Sequence, residues 1–247
     1  MRRLLSSLLL KLTGLGLLRI TLFGDTYLRY VKPGLRPVLI ASGVVLLLLG
    51  IAAAFTRTAS TGHGQESQGC HDGHDHSGTP RVAWLLFLPA LSLLLFAPPA
   101  LGAYTAARSG AKPVAVQKRG FGPLPATSPL PLTLTDFTKR VQQDRSRAIR
   151  DRTVRLTGFV TPDTAGDGWY LTRIIFTCCA ADSQTVKIHV YGSAAPPANT
   201  WLAVTGTWHP AGTLGTRSAP AALDVRRTTP IAQPINAFTD DLPLTPG

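Results

Sequence analysis

Two tracts hold the side chains whose types and spacing suit ligand or nucleophile chemistry. The first, residues 56–81, sets His63, Cys70, His71, His74 and His76 among aspartates, glycines and serines. Imidazole and thiolate are preferred donors for zinc and other late transition metals. Glycine and serine let such a tract wrap an ion, and nothing in it fixes ligand geometry as a catalytic site requires. Transient metal capture is therefore expected here, with a plain polar connector as the alternative. The second tract is Leu-Thr-Arg-Ile-Ile-Phe-Thr-Cys-Cys-Ala-Ala-Asp, residues 171–182, with Cys178 and Cys179 adjacent and Asp182 just beyond. Neighbours in an extended strand point to opposite faces. Both thiols can then serve one ion only if the chain bends, and a turn at 180–184 makes a bend plausible and brings Asp182 into reach. Hairpin pairing would leave His189 roughly 13 Å from Cys179, outside any shared site. Metal binding, a disulfide, or one small buried hydrophobe beside an inert thiol all remain open.

A nucleophilic cysteine needs a base or a thiolate-stabilising charge. Arg173 offers only the second, and no phosphate-cradling glycine loop occurs. The chain is accordingly expected not to be an enzyme, with no catalytic residues and no cofactor beyond zinc or a similar late transition metal.

Positioning falls to two dissimilar halves. The chain has 247 residues and a formal charge of +12, yet charge is sparse from 37 to 107 and dense from 108 to 155. Residues 38–55 carry no charge and span about 27 Å as a helix. Residues 82–107 are also uncharged, between Arg81 and Arg108. Both read as membrane spans. Residues 4–23 are apolar but hold Lys11 and Arg19, each costly at a bilayer centre, so a third span stays undecided. Lys and Arg cluster in 25–37 and again after the last span, whereas the loop between the firm spans has only Arg57 and Arg81. Positive-inside logic puts that loop outside.

A Pro-rich linker, 111–134, follows. A short helix is expected from Thr135 or Asp136 to Ala148, then five strands at 153–160, 169–178, 185–191, 201–208 and 222–227. Val186, Ile188 and Val190 would face inward; Lys187, His189 and Tyr191 would face outward. Leu202, Val204, Gly206 and Trp208 would likewise face inward, as would Val154, Leu156, Gly158 and Val160. The fold class expected is thus an α+β membrane protein: two or three helices in 1–110, then a small OB-like barrel in 135–247 with an irregular tail. A β-sandwich fragment is the alternative. Single-stranded nucleic acid would need aromatic platforms on a basic groove. The strands supply aromatics but little base, Arg155, Arg173 and Lys187 among it, so no nucleic-acid partner is expected.

In several places the sequence resembles the bacterial YcgQ-type family of permease-subunit membrane proteins. The likeness rests on Tyr30-Val31-Lys32-Pro33, the His-rich loop, Pro98-Pro99 before Leu101-Gly102, and Gly158-Phe159-Val160. Above all it rests on Arg173 with Cys178-Cys179-Ala180-Ala181-Asp182. Lys32 and Ser183 depart from the pattern, which has His and Ala there. The first departure counts against metal ligation by the segment before the span. The resemblance implies a multi-span permease-like partner in the cytoplasmic membrane of a bacterium, and a role in metal or small-solute transport. The function expected is an accessory transporter subunit that handles zinc through its His-rich loop. The alternative is a membrane-anchored metal or thiol sensor built on the Cys-Cys segment.

Overall fold

A computed structural model describes residues 2–55, 101–110, 114–118, 120–163 and 168–244. The His-rich loop, with His63, Cys70, His71, His74 and His76, and most of the expected span at 82–107 lie outside them. The chain divides into two compact units. One comprises Met1–Thr26 and Gly34–Ala100; the other comprises Tyr27–Pro33 and Leu101–Gly247. Seven residues from the N-terminal half, Tyr27–Pro33, belong to the second unit.

In the first unit, α1 (Arg2–Leu22) and α2 (Arg36–Phe55) pack as an antiparallel pair. Small residues set how closely they approach. The Ser7 hydroxyl donates to the Gly50 carbonyl at 2.6 Å. A Cβ on Gly14 would lie 2.8 Å from the Gly43 carbonyl oxygen, and one on Gly50 would lie 2.8 Å from Lys11 Cγ. The Arg36 Nε–H donates to the Thr21 carbonyl at 3.0 Å and ties the two helices where they join. Among the described residues one helix, Pro33–Phe55, is long and apolar enough to cross a membrane. Val38, Leu48 and Phe55 leave more than half of their surface uncovered, a larger apolar exposure than a solvated helix normally carries.

The second unit is a mixed α+β domain with a six-stranded sheet. Its elements are α3 (Ala103–Arg108), β1 (Leu130–Pro131), α4 (Leu134–Gln143), β2 (Val154–Pro162), β3 (Trp169–Phe176), β4 (Ser183–Tyr191), β5 (Trp201–Trp208) and β6 (Ala222–Pro230). The sheet order is β1-β2-β3-β4-β6-β5, and β5 also pairs with β2. Strands β2, β3, β4, β6 and β5 therefore form a continuous circuit. All of its pairings are antiparallel except β4 with β6. Val186, Ile188 and Val190 are buried as the alternation requires, against Leu156, Leu171, Val204 and Leu223. At about 1.5–3 kcal/mol for each large apolar side chain buried, this cluster holds the domain together.

Three expectations are corrected. The end of the 82–107 segment is not a lipid-facing helix: Ala103 and Ala106 of α3 are buried, and α3 packs on β2 and β3. Strand β2 is buried on both faces, not one, because Thr157 and Phe159 point toward covered surface. Helix α4 is capped by Thr133, whose hydroxyl accepts from the Asp136 N–H at 3.0 Å, and it ends at Gln143 rather than Ala148.

The early stop has a cause at Asp144. Its buried carboxylate accepts from the Ser146 hydroxyl at 2.5 Å, from Arg140 Nη1 at 2.9 Å and from the Ser146 N–H at 3.0 Å. Burial pushes this carboxyl up, but the Ser146 and Arg140 hydrogen bonds outweigh it and leave the group below its ordinary value of 3.8. A carboxyl depressed in the folded state contributes stability above its unfolded pKa and loses it as pH falls through the folded one. Asp144→Asn is expected to cost about 1–2 kcal/mol at neutral pH. It should also flatten the loss of stability between pH 5 and 3, read by urea denaturation of the full chain. An unchanged acid slope in the variant would place that loss elsewhere.

Candidate functional site: a vicinal thiol pair

Strand β3 stops where its register with β4 ends, at Phe176 opposite Ser183. The next residues close a tight loop. The Thr177 N–H donates to the Asp182 carbonyl and the Asp182 N–H to the Cys179 carbonyl, each at 3.0 Å. A 3-10 turn covers Ala180–Asp182. The bend at Thr177 and Cys178 removes the objection that adjacent strand residues diverge, since the two Sγ atoms lie 3.6 Å apart. Cys178 is exposed and Cys179 half-buried, and both are free thiols.

A second segment holds this loop. Val31 forms an antiparallel bridge with Cys179. The Lys32 N–H donates to the Cys178 carbonyl at 3.0 Å, and the Ala180 N–H to the Tyr30 carbonyl at 2.7 Å. Leu28, Val31 and Pro33 then line one side of an apolar cavity of about 100 Å³, with Phe176, Phe238 and Leu244 on the other. Phe176 and Phe238 stack at 4.7 Å. The sequence carries a signal for this docking only in hindsight, as Tyr30-Val31-Lys32-Pro33 lies far from the cysteines along the chain.

The two thiols are electrostatically unequal. The Ala181 N–H, then the Cys178 thiol, then the Asp182 N–H donate toward Cys179 sulfur and hold its pKa below the ordinary thiol value. Cys178 is pushed up, first because its S–H is engaged by Cys179, then by desolvation and nearby negative charge. Arg173 is not the source of thiolate stabilisation. It is buried, and its guanidinium donates to the Asn236 and Thr239 carbonyls at 3.0 and 2.9 Å. Alkylation with iodoacetamide near neutral pH is expected to modify Cys179 before Cys178, with a midpoint under the usual value of about 8.5. Peptide mass spectrometry resolves the order; equal rates, or Cys178 reacting first, would refute it.

Two thiolates on a tetrahedral ion with metal–sulfur bonds of about 2.3 Å sit roughly 3.8 Å apart, while linear two-coordination needs roughly 4.6 Å from the same bond length. The 3.6 Å pair fits the tetrahedral case. It supplies half of such a ligand set. Asp182 lies in the turn with an exposed side chain, and its negative charge raises both thiols. No group of three or more His, Cys, Asp or Glu side chains gathers to hold an ion among the described residues. His189 sits at the far end of the β3–β4 hairpin, opposite Tyr170 and against Asp163 at 3.2 Å, as its expected exclusion from the thiol site requires.

The site therefore belongs to a mixed α+β domain that presents an exposed dithiol at a hairpin end. Residues 135–239 match the family model of the DUF1980 C-terminal domain, and both cysteines lie within the matched residues. No curated protein and no solved structure matches the chain.

Proposed function

We propose that this is a membrane-anchored metal-handling protein in which Cys178 and Cys179 take a tetrahedral thiophilic ion, zinc foremost. The observation that carries this is the 3.6 Å sulfur separation in an exposed loop. With two protein ligands and open access, such a site exchanges its ion, which suits sensing or hand-off better than a structural role. The hydrogen-bonded segment Tyr27–Pro33 supplies an output, because it continues directly into α2. Anchoring rests on the apolar helix Pro33–Phe55, and the circuit of five strands is read as an OB-like barrel.

A second reading, an accessory subunit of a multi-span permease-like protein, is favoured by Lys11. Its stem lies against Gly50 in the middle of the helix pair, and charges at that depth usually face protein or a cavity. In this reading the His-rich loop gathers the ion that the dithiol receives.

Elemental analysis of the full-length protein, incubated with zinc and desalted, tests both. The parent is compared with a variant lacking 56–81 and with Cys178→Ser/Cys179→Ser. Zinc lost with the cysteines supports the dithiol site. Zinc unaffected by their replacement rejects it. Failure of the tagged chain to retain any integral membrane protein on purification would remove the subunit reading.

A further inference from the structure

The outward face of β3 and β4 carries a second constellation, away from the thiols and unrelated to the metal reading. Because Val186, Ile188 and Val190 point into the core, Lys187, His189 and Tyr191 point out, beside Tyr170 of β3. With Arg217 from the β5–β6 connection and Gln142 and Gln143 of α4, they line an open groove of about 810 Å³. That is within the size range of small-molecule sites.

The floor of the groove continues into an unbroken row of rings. Tyr170 and His189 meet edge-on with centroids 5.0 Å apart, His189 and Tyr191 lie at 4.2 Å, and Tyr191 and His209 at 4.3 Å. Each imidazole is anchored at one nitrogen by a carboxylate. His189 Nε2 lies 3.2 Å from Asp163 Oδ2, and His209 Nδ1 lies 2.7 Å from Asp224 Oδ1. Asp163 also engages the Tyr170 hydroxyl. Ring orientation is thus fixed from behind, while Tyr191 keeps 37% of its surface exposed. Gly168 closes over His189: at φ +139°, a Cβ there would fall 2.6 Å from His189 Cε1.

Charge narrows the occupant. The groove lining holds two cations, Lys187 and Arg217, and no carboxylate. The Lys187 ammonium donates to the Ser109 carbonyl at 3.2 Å and lies 5.8 Å from the Tyr170 ring centre. Arg217 is exposed and forms no salt bridge among the described residues. Rings anchored from behind and partly exposed at Tyr191 offer stacking to a planar ligand. Arg217, with no salt bridge among the described residues, favours an anion, and Lys187, though it also faces the Asp163 carboxylate, lies beside it in the same lining.

We infer that this groove binds a phosphorylated planar heterocycle of mononucleotide size. The ring stacks on Tyr191 and the phosphate pairs with Lys187 and Arg217. ATP, ADP and AMP are the probes, titrated into the full-length protein in detergent and followed calorimetrically, with adenosine and inorganic phosphate as half-ligands. At least one nucleotide should bind saturably, and each half-ligand at least about tenfold more weakly. Tyr191→Ala should weaken nucleotide binding about tenfold, as loss of one stacking platform predicts. Tyr191→Phe should retain it. Lys187→Ala should weaken it several-fold and reduce its salt dependence. Cys178→Ser/Cys179→Ser should bind as the parent does, which separates this inference from the dithiol reading. Matching thermal melts of the Tyr191 variants exclude misfolding. The inference is overturned if no nucleotide binds, if Tyr191→Ala binds with parental affinity, or if binding requires an oligonucleotide and grows with its length.

Discussion

Arg173→Met is expected to destabilise the β domain by about 3 kcal/mol, the largest effect of any single substitution considered. Two charge-assisted hydrogen bonds disappear, each worth roughly 1.5–3 kcal/mol, and two inward carbonyls lose their donor. The guanidinium also lies 5.4 Å from the Trp201 ring centre, a contact worth about 0.5–2 kcal/mol. Against this, burial already penalises the charged form, pulling the arginine down to about 10, and methionine restores much of the lost volume. Relief of desolvation therefore offsets part of the loss, which is why the expected figure lies below the simple sum. Both bonds leave one guanidinium nitrogen, Nη2. Arg173→Lys keeps the charge, but its ammonium sits on a shorter, non-planar head that does not reach the same point or lie over the Trp201 ring in the same way. It should recover less than half of the deficit. The segment released carries Phe238, which stacks on Phe176 immediately before the thiols. Both cysteines should then alkylate faster in the Met variant. Urea denaturation followed by tryptophan fluorescence gives the first number. A Met variant within about 0.5 kcal/mol of the parent would mean that the arginine pins nothing.

Gly43→Leu should open the α1–α2 pair. A Cβ at Gly43 would already approach Leu18 Cγ to 2.9 Å and the Gly14 carbonyl oxygen to 3.2 Å. A full leucine cannot fit without separating the helices. Overpacking of this kind costs about 1–3 kcal/mol, and separation would also stretch the 2.6 Å bond from Ser7 to the Gly50 carbonyl. Helix content should persist, since leucine is the better helix former, while the thermal midpoint in detergent falls. Gly43→Ala is the milder comparison. If Gly43→Leu melts at the parental temperature, the seam does not hold the pair together.

Local pattern made much of the β domain legible. Alternation along 186–191 placed the buried residues because one face of that strand meets the core; along 201–208 it placed Leu202, Val204 and Gly206 but missed buried Ala203, and Trp208 is only half-buried. Strand β2 resisted the same rule: α3 and neighbouring strands cover its second face, and period-two logic assumes one wet side. Helix α4 was displaced at both ends by side chains rather than by propensity, Thr133 capping its start and Asp144 diverting the chain after Gln143. At the thiols, the need for a bend was evident from strand geometry, and the chain supplies it at Thr177 and Cys178, before the turn at 180–182 where it was expected. The docking of Val31 onto Cys179 was not evident, because a backbone bridge leaves no mark on residue type. The ring row was half visible: Tyr191 and His189 were expected to face outward, but their alignment with His209 depends on how β5 and β6 bring a distant connection alongside.

The bridge between Val31 and Cys179 also bears on how the molecule is made. Its two sides lie at opposite ends of the chain's synthesis, so the first must wait, with Leu28, Val31 and Pro33 uncovered, until the second emerges. Contacts of such long sequence separation form late and slowly. A shortened protein beginning after residue 100 would never acquire its partner segment. The Cys178 carbonyl and Ala180 N–H would turn to solvent, the wall formed by Phe176 and Phe238 would be stripped on one side, and the thiols would sit on a looser loop. Reactivity or affinity measured on such a fragment would describe an intermediate of assembly rather than the finished site.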